Sequence, residues 1–493
     1  MQVDVIAKPA ESADVAVVFA AEGKKLLGLG AALGKAVHKA MAAPAFSAKR
    51  GEIIDVLGAD GARRILVVGV GNPKELSAIR ARKIGGKIAA CLLQAREPKA
   101  QILGGGDFGK VEEAVFLGNV ALGARLRSYR FDKYVTQPKK GQEPAEIAAL
   151  SLVAADRAAT QRMVADAEAL AAGICFARDQ VNEPPSTLYP DAFARRLMEL
   201  KKHGVAVEVY DEGALRKMGA GGILAVAQGS QHPPRLVVLR WNGKGGKSKG
   251  GGPVALVGKG VCFDSGGLSL KRTSQMLTMK GDMGGAAAVA GAILSAALRK
   301  AKVDVVGVMG LVENMPSGSS YRPGDIVKTL AGKTIEIIDT DAEGRVTLVD
   351  SLYYAASKFN PSCILDAATL TYSVSAALGP VYAGLFAIDE AIAREALAAG
   401  EAAGEELWRL PVNPDYLKNL KSKVADYRQV APDDASADAA HAAALLAEFV
   451  EGKPWAHLDI ASKEFATRDT AICPEGATGY GVALFDAFLR QRE

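Results

Sequence analysis

Residues 257–271 (VGKGVCFDSGGLSLK) and residues 339–345 (DTDAEGR) decide the fold and the chemistry expected of this sequence. Each stretch follows an apolar run typical of a strand and precedes a run with helical spacing. In an open α/β sheet, such loops lie in the crevice beyond the carboxyl ends of the strands, where ligands bind. We therefore expect both stretches, with residues 279–285 (MKGDMGG), to contribute to one binding site.

The same alternation of strands and helices continues outward from these loops in both directions. In the amino-terminal third, it predicts strands at 13–20, 64–70 and 147–154 and helices at 81–95 and 112–127. In the remainder, it predicts strands at 205–210, 235–241, 254–257, 303–309, 334–338, 364–367 and 455–460, and helices at 191–202, 284–299, 347–358 and 439–448. This order of elements is typical of α/β domains with partly parallel sheets.

A length of 493 residues is too great for one compact core. An alanine-rich helical run at 157–178 precedes Pro184 and Pro185, which should end it. The predicted fold is therefore α/β with two domains, each a mixed or mostly parallel sheet flanked by helices, joined by a long helix. The boundaries are 1–160 for the amino-terminal domain, 161–185 for the connecting helix and 186–493 for the catalytic domain.

Composition excludes several classes of protein. The net charge is only +5, so a dedicated nucleic-acid-binding protein is not indicated. No run reaches 18 uninterrupted apolar residues, and the start lacks the pattern of a signal peptide, so we expect a cytoplasmic protein without a membrane span. The five cysteines are scattered and never spaced as a metal-binding pair, so the ligands of any metal must be mostly carboxylates.

The acidic residues of the two loops suit a pair of divalent cations. Asp264, Asp282, Asp341 and Glu343 supply four negative charges against the four positive charges of two such ions. Oxygen ligands suit magnesium, manganese and zinc. Lys259 can add a nitrogen ligand once a nearby dication has lowered the pKa of its amine.

Lys271 and Arg345 carry charges of the opposite sign in the same stretches. We expect both to remain cationic at the edge of the cluster, aimed at negative charge that develops on a substrate. Two metal ions can share a water molecule, deprotonate it near neutral pH and polarise a carbonyl group.

Each of these residues also has a purely structural interpretation. Asp282 fits the N-cap of the helix that follows it, and 340–343 (TDAE) fits a capping box. Lys259 and Lys271 can be solvated loop charges. The concentration of all these residues in two glycine-rich loops favours the metal site.

At these residues the sequence resembles the leucyl aminopeptidase family, the two-metal cytosol aminopeptidases. The resemblance extends over most of the second domain, whereas the first domain matches only in size and alternation. It includes residues 182–185 (NEPP), 313–318 (ENMPSG), 322–325 (RPGD), 332–336 (GKTIE), 455–460 (WAHLDI) and 476–479 (GATG).

The resemblance implies how the metal ligands are shared. Lys259, Asp264, Asp282 and Glu343 would hold one ion. Asp264, Asp341 and Glu343 would hold the other, so that Asp264 and Glu343 bridge the pair. The ions would be manganese or zinc, and magnesium is a further candidate.

The resemblance also implies the reaction. A hydroxide bound to both metals would attack the first peptide bond of a substrate with a free amino terminus. Lys271 would polarise the scissile carbonyl, Arg345 would hold a bicarbonate ion acting as general base, and Met279 would line the pocket for the first side chain. The family assembles as homohexamers.

This chain departs from the family near the substrate. Asp339 stands where Asn is usual, and Tyr372 follows 369–371 (TLT) where Gly is usual; Ser462 also replaces a glycine. We expect Thr369, Leu370 and Tyr372 to line the substrate pocket. Asp339 is expected to meet the substrate's amino group; the alternative is that it caps the following turn or points into solvent.

Two other functions remain alternatives. One is a catalytically quiet hexameric scaffold, for which Asp339 and Tyr372 are the motive. The other is nucleic-acid binding through Lys244, Lys247 and Lys249 of a glycine-rich loop, although such loops are usually solvated linkers.

Overall fold

The computed structural model describes residues 1–9, 14–32, 34–59, 62–137, 144–245, 251–432 and 437–493. The chain forms two compact units. The first comprises Met1–Ala171 and Ala466–Gly476, and the second comprises Ala172–Phe465 and Ala477–Glu493. Lys247 and Lys249 lie outside the described residues. The predicted two-domain α/β fold is confirmed.

The first unit is built around one mostly parallel sheet. Its elements are β1 (Gln2–Ile6), β2 (Val15–Ala21), β3 (Lys25–Leu26), α1 (Lys35–Met41), β4 (Ile53–Ala59), β5 (Ala62–Gly71), α2 (Ala78–Gln94), β6 (Lys99–Leu103), α3 (Glu113–Arg127) and β7 (Ala149–Val153). The strand order is β1-β7-β6-β2-β5-β4, in which only β4 is antiparallel to its neighbour, while β3 pairs with β2 off this path. β2 is buried along its whole length because helices cover such sheets on both faces.

The long helix α4 (Arg157–Asn182) follows β7 and ends two residues before Pro184. The division between the two units falls within it, after Ala171. Among the residues that the structure describes, no helix has the length and apolarity that crossing a membrane requires.

The second unit contains an eight-stranded mixed sheet and a smaller three-stranded sheet. Its first half comprises α5 (Pro190–Met198), β8 (Ala206–Tyr210), α6 (Glu212–Met218), α7 (Gly221–Ala227), β9 (Arg235–Asn242), β10 (Val254–Asp264), α8 (Thr273–Met276), α9 (Gly284–Leu298), β11 (Asp304–Asn314), β12 (Ile326–Lys328), β13 (Thr334–Glu336) and α10 (Glu343–Phe359). Its second half comprises β14 (Cys363–Ala368), α11 (Tyr372–Leu378), β15 (Ala383–Ala387), α12 (Glu390–Ala403), β16 (Leu407–Arg409), α13 (Pro414–Asn419), β17 (Tyr427–Arg428), α14 (Asp438–Ala447), β18 (Trp455–Asp459) and α15 (Val482–Arg490). The short strands β19 (Phe465–Ala466) and β20 (Gly476–Ala477) each contain one residue of either unit.

The large sheet has the order β16-β15-β18-β14-β10-β11-β9-β8, and β18, β14, β10 and β11 form its parallel centre. Helices cover both faces of β10. Gly258 of β10 faces α9, where an added Cβ would lie 2.5 Å from Ala286 Cα. The next residue, Lys259, points to the opposite face and reaches Gly344 of α10, as alternation along a strand requires.

One expectation about the loops is wrong. Residues 334–338 were expected to form a strand of the same open sheet as 254–257, but β13 belongs to the separate β12-β13-β17 sheet. β13 also ends at Glu336. The stretch 339–345 therefore follows a strand of the smaller sheet. Its last three residues begin α10, which packs on β10 and β11 of the large sheet.

Candidate metal centre

Asp264 is held at the carboxyl end of β10 by a tight turn and by a neighbouring strand. Gly266 and Gly267 have φ values of +86° and +65°, which glycine adopts without strain. The turn directs the Gly266 amide to donate to Asp264 Oδ1 at 2.8 Å. Asn314 ends β11 in register with Asp264, and its Nδ2 donates to the same oxygen at 2.8 Å. One oxygen of Asp264 is thus fixed, which orients the other.

Lys259 joins two acidic residues that are far apart in sequence. Its Nζ lies 2.7 Å from Asp282 Oδ1 and 2.9 Å from Glu343 Oε1, and it donates to the Thr369 carbonyl at 2.9 Å. Gly344 permits this approach, because an added Cβ would lie 2.8 Å from that nitrogen. These groups are almost fully buried, apart from Thr369, which is partly exposed.

Asp341 completes the cluster on the more open side. Carboxylate oxygens of Asp264, Asp341 and Glu343 lie within 4.8 Å of one another, a spacing suited to one cation. The Asp341 side chain is one-third exposed. Lys271 Nζ lies 2.6 Å from Asp341 Oδ1 and 2.8 Å from Asp264 Oδ2. The five predicted metal ligands and Lys271 therefore lie in one cluster.

Burial and an excess of negative over positive charge raise the pKa values of three carboxyl groups in the cluster. Burial raises the pKa of Asp282 well above its usual value, Lys259 opposes this, and Glu343 raises it further. Burial, followed by the charges of Asp264 and Glu343, raises the pKa of Asp341 to about 7. The pKa of Glu343 is also raised, first by burial and then by Asp264.

The two lysines respond in the opposite direction. Burial alone lowers the pKa of Lys259, but the charges of Asp282, Glu343 and Asp264 outweigh it and raise that pKa. The same balance raises the pKa of Lys271, mainly through Asp264. Both ammonium groups are therefore strongly held as counter-ions of the carboxylates.

Unpartnered oxygens test whether the cluster fits metal ions. Asp282 Oδ2 and Glu343 Oε2 are buried and accept no hydrogen bond from the described part of the chain. Buried carboxylate oxygens are rarely left in this state, because losing water without a replacement is costly. Divalent cations would give both oxygens a partner, so the residues fit the metal pair expected from the sequence.

The structural alternatives for these residues do not apply. Asp282 is not the N-cap of α9, whose cap is Met283 and lacks a side-chain hydrogen bond. Residues 340–343 do not form a capping box, since the N-cap of α10 is Ala342 without a side-chain bond. Thr340 instead donates through Oγ1 to the Gly266 carbonyl at 2.7 Å.

Arg345 lies apart from the carboxylate cluster. Its Nη2 donates to Asp438 Oδ1 at 2.7 Å and its Nη1 donates to the Gln429 carbonyl at 2.8 Å. The side chain is buried, and its Nε has no partner among the described residues. Two residues along a helix point about 200° apart, so Arg345 and Glu343 face different ways on α10.

The expected pocket residues have unequal surroundings. Met279 begins a short 3-10 turn (Met279–Gly281) next to Asp282 and is partly exposed. Thr369 Oγ1 donates to Asp282 Oδ1 at 2.7 Å, and the Leu370 side chain lies 2.9 Å from where a Cβ on Gly344 would be. Tyr372 is 85% exposed at the start of α11.

Asp339 adopts the arrangement that was the alternative to a contact with the substrate. Its Oδ1 accepts the Asp341 amide at 2.9 Å, which caps the turn before α10. Gln429 Nε2 donates to the Asp339 carbonyl at 2.7 Å, and the Ile338 amide donates to Gln429 Oε1. Asp339 thus shapes the turn that carries Asp341.

Sequence reasoning missed three residues that position the centre. Asn314 and Thr340 connect the two loops, since Asn314 Nδ2 donates to the Thr340 carbonyl at 2.9 Å. Tyr321 OH donates to the same carbonyl at 2.8 Å. The predicted strand 303–309 stopped short of Asn314, Thr340 was considered only as part of a capping box, and Tyr321 gave no signal.

Comparisons with known proteins match both domains of the chain to one family. The protein-family model described as "Cytosol aminopeptidase family, catalytic domain" matches residues 175–485. The protein-family model described as "Cytosol aminopeptidase family, N-terminal domain" matches residues 17–138. The first domain therefore resembles the family in sequence and not only in size and alternation.

Individual proteins match almost the whole chain. The probable cytosol aminopeptidase of Rhodopseudomonas palustris (strain BisA53) is 44% identical over 458 residues, covering 92% of this chain and 90% of that protein. The probable cytosol aminopeptidase of Bradyrhizobium sp. (strain BTAi1 / ATCC BAA-1182) is 44% identical over 474 residues, covering 94% and 93%.

A solved structure, that of the bottromycin maturation enzyme BotP in complex with Mn, is also similar. It has a TM-score of 0.85 and 36% sequence identity, and the match covers 98% of this chain and 100% of BotP. The predicted enzyme class, an aminopeptidase-type hydrolase, is confirmed by these relationships. The chain belongs to the cytosol aminopeptidase family.

Proposed function

We propose that this protein removes single residues from the free amino terminus of peptides at a centre that holds two divalent cations. The observation that carries the proposal is the buried cluster around Lys259, in which Asp282 Oδ2 and Glu343 Oε2 lack partners. Membership of the cytosol aminopeptidase family makes a peptide the expected substrate.

The ligands divide into two sets that share two residues. Lys259, Asp264, Asp282 and Glu343 would hold one ion, and Asp264, Asp341 and Glu343 would hold the other. The second set is the carboxylate group whose oxygens lie within 4.8 Å of one another. Manganese, zinc and magnesium suit these ligands, and the manganese of BotP favours manganese. When bound, such a pair supplies an acidified water molecule and polarises the substrate carbonyl.

Lys271 is proposed to stabilise the negative charge that develops on the substrate. Its ammonium group is placed between Asp264 and Asp341 and its side chain is 15% exposed, so a substrate can reach it from the open side. Metal ions that neutralise those carboxylates would free the ammonium group to donate to the carbonyl oxygen of the scissile bond. A donor aimed at an oxyanion is worth about 10²–10³ in kcat.

Arg345 is proposed to hold a bicarbonate ion that acts as general base. Its unpartnered Nε supports this role. Its guanidinium group is partly occupied by Asp438, so the proposed ion must compete with that carboxylate. Added bicarbonate should raise kcat of the wild type, and this rise should be absent in Arg345→Ala.

We further propose that the protein acts in the cytoplasm as a homohexamer. The name cytosol aminopeptidase of its relatives supports the compartment, and the family resemblance supports the assembly. Sedimentation of the purified protein tests the assembly directly.

Hydrolysis of a panel of aminoacyl amides, with Mn²⁺, Zn²⁺ and Mg²⁺ supplied separately, tests the activity. We expect release of the amino-terminal residue with at least one metal and no hydrolysis of substrates whose amino group is acetylated. Absence of hydrolysis with every metal would favour the catalytically quiet scaffold. Binding of nucleic acid that weakens steeply with salt would favour the remaining alternative.

A further inference from the structure

Glu464 lies in the loop that follows β18, and its side chain packs against the turn that carries Asp282. A Cβ added to Gly281 would lie 3.1 Å from Glu464 Cγ, and a Cβ added to Gly284 would lie 3.6 Å from Glu464 Cβ. Both glycines flank Asp282 closely in sequence. Their missing side chains leave the room that Glu464 occupies.

Thr369 connects Glu464 to the proposed site of reaction. The Cβ position at Gly284 lies 3.8 Å from Thr369 Cγ2 as well as near Glu464, so these two side chains line the same space. Thr369 donates to Asp282 Oδ1 at 2.7 Å, and its carbonyl accepts from Lys259 at 2.9 Å. Glu464 therefore stands beside residues that touch the proposed metal ligands directly.

The carboxylate of Glu464 has an unsatisfied oxygen. Its Oε2 is buried and has no hydrogen-bond partner in the described part of the chain. Burial raises the pKa of Glu464, and backbone hydrogen bonds and the charge of Lys463 offset it only in part. A buried carboxylate that makes no ion pair is unfavourable, and such groups are usually paired.

The nearby lysines have other partners. Lys463 Nζ donates to the Gly379 carbonyl, and Lys280 Nζ donates to the Asn182 carbonyl at 2.8 Å. Lys280 also lies over the ring of Phe465, 5.9 Å from its centre. No ion pair joins Glu464 to either lysine within the described ranges. Glu464 is thus left without an ion pair among the described residues, and its unpartnered oxygen can receive a group from outside the chain.

We infer that Glu464 selects a cationic side chain, that of lysine or arginine, at the amino terminus of the substrate. This inference rests on the proposed aminopeptidase function and adds a substrate class to it. The amino-terminal residue must lie next to Asp282 and Thr369 when its amine and carbonyl meet the metal pair. A lysine or arginine side chain in that position carries its charge into the space that Glu464 lines.

Comparison of arginine amide with citrulline amide tests the charge alone, since the two side chains are nearly equal in size. With the metal-loaded full chain, we expect kcat/KM for arginine to exceed that for citrulline by about tenfold or more, as a charge-assisted bond predicts. In Glu464→Gln the ratio should fall towards one. Glu401→Gln, on the exposed face of α12, is the matched control and should keep the wild-type ratio.

Each outcome decides the inference. A wild-type ratio near one, or an undiminished ratio in Glu464→Gln, would overturn it while leaving the aminopeptidase proposal intact, provided that leucine amide is hydrolysed. Failure to hydrolyse any amide with metal bound would overturn both. If Glu464→Gln does not fold, the wild-type ratio and Glu464→Asp, which keeps the charge and should keep a ratio above one, decide instead.

Discussion

Lys259 Nζ lies 2.9 Å from Glu343 Oε1, although one residue is in the middle of a sheet strand and the other begins a helix 84 positions later. Lys259 is almost fully buried, and the surrounding carboxylates raise the pKa of its ammonium group. In its proposed role as a metal ligand, Lys259 must be a neutral amine. Metal binding therefore has to displace a proton from the centre as well as neutralise its acids.

The first prediction is that metal binding releases protons and strengthens as pH rises. Asp341, with a pKa of about 7, and Asp282, Glu343 and Lys259, with raised pKa values, must lose protons before they can act as ligands. Affinity for Mn²⁺ should rise between pH 6 and 8, by up to about tenfold per pH unit for each proton released. Calorimetry in two buffers of different ionisation enthalpy measures this release. Equal affinity at both pH values would contradict it.

The second prediction concerns Asp264 and Glu343, the two carboxylates that are proposed to bridge the metal ions. Asp264→Ala or Glu343→Ala should abolish hydrolysis and lower the metal content, because each change removes a ligand from both ions. Metal analysis of the dialysed protein and steady-state rates measure the two effects. Asp415→Ala, on the exposed surface of α13, serves as control. A bridging variant with full metal content and a near-normal rate would show that the assignment is wrong.

The third prediction separates Lys271 from Lys259. Lys271→Ala should keep its metal and lose kcat by about a hundredfold or more, because its ammonium is assigned to the oxyanion. Lys259→Ala should instead lose metal, since Lys259 holds Asp282 and Glu343 together. Metal content and kcat measured on both variants distinguish the roles. A large loss of metal from Lys271→Ala would mean that the two assignments are exchanged.

The fourth prediction follows from the turn that Asp339 caps. Asp339→Asn keeps an oxygen that can accept the Asp341 amide, so KM and metal content should stay within about twofold of the wild type. Asp339→Ala removes the acceptor, loosens Asp341 and should lower metal occupancy. A large rise in KM for Asp339→Asn, with metal content unchanged, would instead support the contact with the substrate amine that the sequence suggested.

The fifth prediction concerns stability and Asp350, a fully buried residue of α10. Its Oδ1 accepts the Leu330 amide at 2.7 Å and its Oδ2 accepts the Ile223 amide at 3.0 Å. Burial, partly offset by these bonds, raises the pKa of Asp350 to about 7. In the unfolded chain the same carboxyl group loses its proton near pH 4. The contribution of protonated Asp350 to the free energy of unfolding is therefore complete below about pH 4 and is lost as pH rises to about 7.

Asp350→Asn should remove this pH-dependent contribution to stability. The amide can replace only one of the two acceptors, so the variant should be less stable at pH 5 by about 1–3 kcal/mol. Its stability should also fall less than that of the wild type between pH 5 and 8. Denaturant unfolding across that range measures both effects. Parallel pH profiles for the two proteins would contradict the assignment.

The sequence by itself indicated which residues gather in the candidate metal centre. Lys259, Asp264, Asp282, Asp341 and Glu343 lie in short glycine-rich stretches at the ends of strands and the starts of helices, where the spacing and the charge are local properties of the sequence. Local patterns also predicted seven of the fifteen α-helices in the described part of the chain and the central strands of the large sheet. These features were predictable because each depends on residues that are near one another in the chain.

Only the tertiary structure decided how distant segments meet. It placed β13 in a separate sheet, paired Arg345 with Asp438, and brought Asn314 and Thr340 together behind the two loops. It also placed Glu464 against Gly281, 183 positions away in the sequence. Strand order and side-chain packing fix these contacts, and neither leaves a periodic or local pattern in the sequence because both depend on which surfaces are buried together.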